Sequence, residues 1–251
     1  SVNPSGVVIC VGSGTGAYMP TVDHARELAE SMSGVAAGAG IPSVMVLTDL
    51  NAVLGTSVGS AVEMVETVDF LTGRYRDPRT RELVIEVTAD MIRLAGVASD
   101  MAAAKALAEA RLADGSAAER FGRMIAIMGG PADFMARPDP YLPKAAVVAP
   151  CYPAAEGYVA AMVAKDVGLA LIALGGGRKK PDDPIDLTVG FTDFCQVGDR
   201  VGAGKPLCVI HARNEVEWED AAARVRAAVT VTPTAPAPPG PIVIDRIERH
   251  P

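Results

Sequence analysis

Glycine turns, carboxylates, histidines and cysteines are the residues of this chain that can carry chemistry, and their spacing sorts them. Val8 to Ala17 reads VICVGSGTGA, a G-x-G-x-x-A run directly after β-branched residues. In that form a turn and the amino terminus of the next helix can cradle a dinucleotide pyrophosphate. The chemistry requires the helix to begin at once, and Pro20 interrupts it. Asp49, the acid at the end of the next apolar run, also stands farther along than the usual ribose-binding acid. Asp182 and Asp183 with Asp186 have the types needed for acid-base work, but their Pro-rich surroundings read as a turn. His24 sits beside Asp23 in a helical stretch as a solvated residue, His211 ends a strand, and His250 is in the tail. Glu63 and Glu66 read as ordinary surface carboxylates. No Gly-x-Ser-x-Gly elbow, His-Glu-x-x-His pair or Walker loop occurs.

Cys10, Cys151, Cys195 and Cys208 form no CxxC pair and no zinc-like spacing, so they read as small buried hydrophobes in a reducing compartment. A net charge of -7 argues against a nucleic-acid backbone as partner, since phosphate neutralisation needs clustered Lys and Arg. A local pocket can still take a small anion. No basic-then-apolar leader opens the chain and no apolar run is long enough for a bilayer, so a soluble cytoplasmic protein is expected.

The elements that must position these residues follow from periodicity. Val7 to Val11 and Ser43 to Leu47 read as buried strands, and Thr21 caps a helix carrying Ala25, Leu28, Ala29, Met32 and Val35 at helical spacing. Together they make a βαβ unit whose working edge is the carboxyl end of the strands. Val58 to about Met128 reads as helical, with Glu82, Glu86, Asp90 and Arg93 on a solvated face. Arg137 to Pro140 makes a linker, and short strands dominate from Ala145 to Ile210. Glu215 to Val229 reads as an amphipathic helix holding Trp218 against the body, Thr232 to Pro239 as an extended strap, and Ile242 to Ile247 as a last strand.

The stretch Val189 to Ala212, VGFTDFCQVGDRVGAGKPLCVIHA, alternates apolar runs with Gly-Asp and Gly-Lys-Pro turns. It is similar to the hammerhead pattern of biotinyl and lipoyl carrier domains, although Lys179 and Lys180 lack the Met-Lys-Met context for attachment. With Gly175 to Arg178 before it and His211-Ala212 at its end, it resembles the carboxy-terminal module of pyrimidine nucleoside phosphorylases of the thymidine phosphorylase type. The resemblance extends upstream through Ala17-Tyr18-Met19-Pro20-Thr21, Leu47-Thr48-Asp49, Val58 to Glu66, Phe70 to Gly73, Ala118 to Gly122 and Gly130 to Phe134. Six motifs in order and at compatible spacing carry it.

The resemblance implies an α/β fold: part of a mixed sheet with helices over residues 1–140, then a small α+β, hammerhead-like module over 141–251. It implies phosphorolysis of thymidine or a related pyrimidine nucleoside to free base and (2-deoxy)ribose 1-phosphate, with inorganic phosphate as co-substrate and no organic cofactor. Tyr18 stands where the family has an aromatic residue beside the nucleoside. Leu54 and Ser57, through main-chain oxygens, and Glu66 stand where some members hold potassium. The family's Lys-His-Ser-Thr-Gly-Gly phosphate loop and its Arg, Ser and Lys pyrimidine set do not occur here, and Cys10, Val11 and Gly12 stand in place of its Asp-Val-Lys. The chain is therefore expected to be the carboxy-terminal portion of an enzyme, with no catalytic residue of its own and inactive alone. The alternative is a non-catalytic structural or binding remnant. The family's homodimer forms through the helical domain, which leaves this chain a monomer or associating through exposed apolar surface.

Overall fold

The computed structural model describes residues 4–250. Along the chain run β1 (Val7–Ser13), α1 (Val22–Gly38), β2 (Ser43–Asp49), α2 (Ser60–Thr72), α3 (Pro78–Leu94), α4 (Met101–Ala113) and α5 (Ser116–Ile127). Next come β3 (Val147–Cys151), β4 (Gly157–Met162), α6 (Ala164–Leu174), β5 (Gly190–Thr192), β6 (Arg200–Val201) and β7 (Cys208–Ala212). The last are α7 (Glu215–Ala228), β8 (Val229–Thr232) and β9 (Val243–Arg249). The elements are of mixed α/β type and gather into two compact units. The sequence divides the chain once, between 140 and 141, whereas these units interleave: Ser1–Leu50, Pro78–Ala117 and Gly240–Pro251 form one, Asn51–Asp77 and Ala118–Pro239 the other.

In the first unit β1 and β2 pair in parallel through α1, and β9 joins β2 antiparallel on its other side. β2 ends at Asp49 as expected, while β1 runs two residues past its expected end, because Gly12 pairs with Thr48 and Ser13 with Asp49. Thr21 caps α1 by accepting the His24 N–H at 3.3 Å. The helix buries Ala25, Ala29 and Ser33, one residue per turn, against Met45 and Leu47. The expected stripe was wider: Met32 packs against this core with Val22, but Val35 is 73% exposed and Leu28 points partly to water.

The opposite face of this sheet corrects a second expectation. Asp90 on α3 is fully buried, and its Oδ2 accepts from Arg246 Nε at 2.9 Å. Arg246 also bonds Glu86, which pairs in turn with Lys105 of α4, and Arg93 reaches Glu248 of β9. Glu82 stays solvated as expected, but Glu86, Asp90 and Arg93 are packed on the last strand. A row of carboxylates at i and i+4 looks alike in either setting; its partners arrive from residues 105, 246 and 248.

In the second unit β3, β7 and β5 form one antiparallel sheet, and β6, β4 and β8 another. Phe191, Phe194, Val159, Leu207 and Ile210 fill the core between them with α6 and α7, and the two Phe rings meet edge to face at 6.1 Å. α6 replaces part of the expected run of strands. Val167, Ala170 and Leu174 recur at i, i+3 and i+7 and are all buried, a helical period that Gly175 closes in the left-handed region at φ 96°. Trp218 holds α7 by donating Nε1–H to Ala149 O at 3.1 Å, as its place in an amphipathic helix anticipates.

Candidate functional site

Two loops carry the residues singled out by type and spacing, one in each unit. In the first unit the turn after β1 is pinned by backbone bonds, Gly14 N–H to Met19 O, Gly16 N–H to Leu50 O and Ala17 N–H to Gly14 O. Gly14, at φ 116°, allows the reversal. Among the described residues no helix starts between β1 and Val22, so the pyrophosphate cradle of a dinucleotide site does not form. Gly12 has a packing reason to be glycine: a Cβ there would lie 2.2 Å from Leu50 Cδ1. Tyr18 rides at the tip, 100% exposed. Its ring does not fill a seam beneath the loop; it is held out on a pinned turn, available to a flat apolar partner.

The second unit gathers Leu54, Ser57 and Glu66 at the loop preceding α2. Glu66 is half-buried, and its Oε1 accepts the Thr56 N–H at 2.8 Å and the Thr56 hydroxyl at 3.2 Å. Its Oε2 accepts the Ser57 N–H at 2.9 Å. Gly55, at φ 75°, sits so close that a Cβ would lie 2.6 Å from Glu66 Oε1. The carboxylate therefore anchors the loop rather than standing as an ordinary surface charge. Glu63 likewise turns back to accept Gly59 N–H at 2.9 Å, at the start of α2.

The other side of this loop is tied to the segment after β5. Gln196 Nε2 donates to Gly55 O at 2.8 Å, Phe194 N–H to Thr56 O at 2.9 Å, and Phe191 N–H to Val58 O at 2.8 Å. The Leu54 and Ser57 carbonyls are not among those three. Burial raises the Tyr75 phenol, and the carboxylates of Asp77, Glu66, Asp199 and Asp193 raise it further. Asp193 is the one non-glycine with positive φ, 49°, among the described residues. Carboxylates beside loop carbonyls suit a hard cation better than an anion.

The remaining candidates are structural. Asp183 Oδ2 accepts the Lys179 and Lys180 N–H groups, and Asp186 Oδ1 accepts Thr188 N–H and hydroxyl, so these acids build the turn. His211 Nε2 meets Thr192 Oγ1 at 2.9 Å, and burial lowers its pKa below the usual histidine value while Asp193 pulls the other way. His24 is exposed on α1. Cys151, Cys195 and Cys208 are buried, as expected of small hydrophobes, whereas Cys10 is exposed. Among the described residues no helix is long and apolar enough to cross a membrane, and no group of three His, Cys, Asp or Glu side chains is placed to hold a metal.

Comparison with known families bears on both units. Residues 158–232 match the pyrimidine nucleoside phosphorylase C-terminal domain, and residues 3–118 match the a/b domain of a glycosyl transferase family. Together the two matches support the pyrimidine nucleoside phosphorylase family, and with it a transferase of pentosyltransferase type. The a/b-domain match takes in Tyr18, Leu54, Ser57 and Glu66; the C-terminal-domain match takes in Asp193, Gln196 and His211. Sequence reasoning missed Thr56, Tyr75 and Gln196. Gln196 and Gly55 lie 141 residues apart, and no local pattern announces that bond.

Proposed function

We propose that this chain is part of a thymidine phosphorylase-type enzyme, which splits pyrimidine nucleosides with inorganic phosphate. The observation that carries the reading is the succession of two family matches, a/b domain then C-terminal domain, on one chain. In the reaction a phosphate oxygen attacks the C1 carbon of the (deoxy)ribose, the glycosidic bond breaks, and its electron pair leaves with the base. Positive charge builds on the sugar and negative charge on the base, so placement and electrostatics do the work. Tyr18 would pack its ring against the base or the sugar, and its hydroxyl would need a polar partner in the ligand or in water. The phosphate loop and pyrimidine set, absent from these 251 residues, would come from other polypeptide, in the cytoplasm, and dimerisation would belong to the complete enzyme.

Potassium fits the second loop in chemistry: the Leu54 and Ser57 carbonyls and the Glu66 carboxylate are oxygen donors. Such an ion would supply positive charge beside the phosphate. It would share Glu66 with the two N–H groups and the hydroxyl that the carboxylate already accepts. Glu66→Gln sets an amide NH2 against a loop N–H. Amide hydrogen exchange at Thr56 or Ser57 should rise roughly tenfold, the loss of one charge-assisted hydrogen bond. Potassium should slow that exchange in the wild type relative to tetramethylammonium, and not in the variant. Equal exchange in both salts would remove the cation from the proposal.

The direct test is thymine release from thymidine in phosphate buffer. The 251-residue chain alone should be silent. Mixed with a separately expressed polypeptide carrying the Lys-His-Ser-Thr-Gly-Gly loop, it should become active. Activity of the lone chain would overturn the claim that catalysis needs that polypeptide. Silence in both arms, with the chain shown to be folded, would favour a non-catalytic remnant.

A further inference from the structure

Three of the four cysteines, Cys151, Cys195 and Cys208, lie in one core, and none has a part in the proposed reaction. Two of them are placed for chemistry with each other. Cys151, the last residue of β3, is the register partner of Cys208, the first residue of β7. Residues directly opposite on antiparallel strands hold their Cβ atoms about 4.5–5.5 Å apart, and a disulfide needs about 3.5–4.5 Å. A small strand adjustment spans the difference. The adjustment falls where the sheet yields most easily, since β3 is an edge strand and this pair closes its ladder.

The two thiols are not equivalent. Cys208 donates its S–H toward Cys151, which lowers the Cys151 pKa, and the Arg226 guanidinium adds to that; burial alone pulls the other way. The same bond and burial push Cys208 up. Arg226 is fixed beside the pair by its Nε–H bond to Tyr152 O at 2.8 Å. Cys151 in its protonated form has an acceptor in Ala222 O at 3.7 Å. Cys195, in the same core, is pushed up to about 12 by burial and by the Asp199 carboxylate, and it faces no cysteine across a ladder. An electropositive neighbour and a second thiol at hand are what separate a reactive cysteine from an inert buried one.

We propose that Cys151 and Cys208 are a redox-active dithiol, with Cys151 the attacking thiol and Cys208 the resolving one, which closes to a cross-strand disulfide under hydrogen peroxide. The Cys151 thiolate attacks one peroxide oxygen and the O–O bond breaks. The sulfur becomes a sulfenic acid, and the departing hydroxide takes a proton to leave as water. The Cys208 sulfur then attacks the sulfenic sulfur; the S–S bond forms, the S–O bond breaks, and a second water leaves with the thiol proton. The two thiols lose two electrons and two protons to one peroxide. A small oxidant suits the site, since both sulfurs are reached only as the ladder end opens.

The experiment uses the folded chain with Cys10→Ser, which removes the exposed thiol. After hydrogen peroxide, intact mass should fall by two hydrogen atoms. Peptide mapping should find residues 151 and 208 linked in the majority of molecules, and dithiothreitol should restore both thiols. With Cys208→Ser added, Cys151 should stop at the sulfenic acid and be trapped by dimedone. A link from Cys151 to Cys195 would overturn the assignment. So would reduced Cys151 and Cys208 under peroxide that fully oxidises Cys10 in the unsubstituted chain, or a Cys208→Ser chain in which dimedone labels Cys195 and not Cys151. If the Cys208→Ser chain does not fold, the mapped link in the other chain decides by itself.

Discussion

Arg246→Ala is expected to cost about 3 kcal/mol of folding stability, the lower end of what removing one partner from a buried ion pair costs. The lower end applies because the Arg246 side chain keeps 30% of its exposure while Asp90 keeps none. Arg246 gives Asp90 Oδ2 its hydrogen bond, and Oδ1 is already buried without one, faced only at 3.7 Å by Arg93. Alanine at 246 therefore leaves a buried carboxylate with neither oxygen satisfied. Removing both charges together, as Asp90→Leu with Arg246→Met, takes away the desolvation cost with the attraction, and should restore most of the loss. Urea denaturation of the two single variants and the double would check it, and additive losses would show that the pair does not act as a unit. The acid limb gives a second readout. Burial raises Glu86, but hydrogen bonds from Lys105 and Arg246 outweigh it and hold the carboxyl below the usual range. A carboxyl depressed in the folded state contributes stability above its unfolded pKa and loses it as pH falls through the folded value. Without Arg246 the depression shrinks, so acid unfolding of the variant should begin at higher pH than in the wild type.

That network also shows where reading the sequence stops. Local signals carried the βαβ unit, the Thr21 cap, the α7 helix and the last strand, because each is written in residues that are neighbours along the chain. They did not separate a solvated face of α3 from one packed on β9, since Glu86 and Asp90 have the same spacing in both settings. The site divides in the same way. Tyr18, Leu54, Ser57 and Glu66 were reached through resemblance to a family, and the residues alone gave only a turn and two carboxylates. What the fold adds is that Glu66 grips the Thr56 and Ser57 N–H groups, and that Gln196 and Phe194 hold the loop from its other side. These bonds join residues far apart in sequence, and no periodicity encodes them.

Gly59→Ala should be as damaging as Arg246→Ala, at roughly 3 kcal/mol, for a different reason. Gly59 has φ 134°, and a Cβ there would lie 2.7 Å from Val189 O and 2.9 Å from Gly190 Cα. The left-handed backbone costs about 1–3 kcal/mol for a residue with a side chain, and overpacking adds about 1–3 kcal/mol. Neither is relieved by a rotamer change, because the obstructing atoms are backbone. Gly190 meets the same seam from the other side, where a Cβ would lie 2.7 Å from Val58 O. The two glycines let Val58 and Phe191 exchange backbone hydrogen bonds at 2.9 and 2.8 Å, and that exchange fastens the loop carrying Leu54 and Ser57 to β5. Gly204→Ala and Gly240→Ala are the controls, since a Cβ at either meets nothing within 4 Å. Denaturation midpoints should fall for Gly59→Ala and stay near wild type for both controls. Amide exchange at Thr56 and Ser57 should quicken with the loss of stability, although the Glu66 carboxylate is untouched. Wild-type exchange in a destabilised Gly59→Ala chain would mean that Glu66 holds the loop without the seam. A Gly59→Ala chain as stable as the controls would mean that the close approach of the two backbones is not a feature of the folded protein.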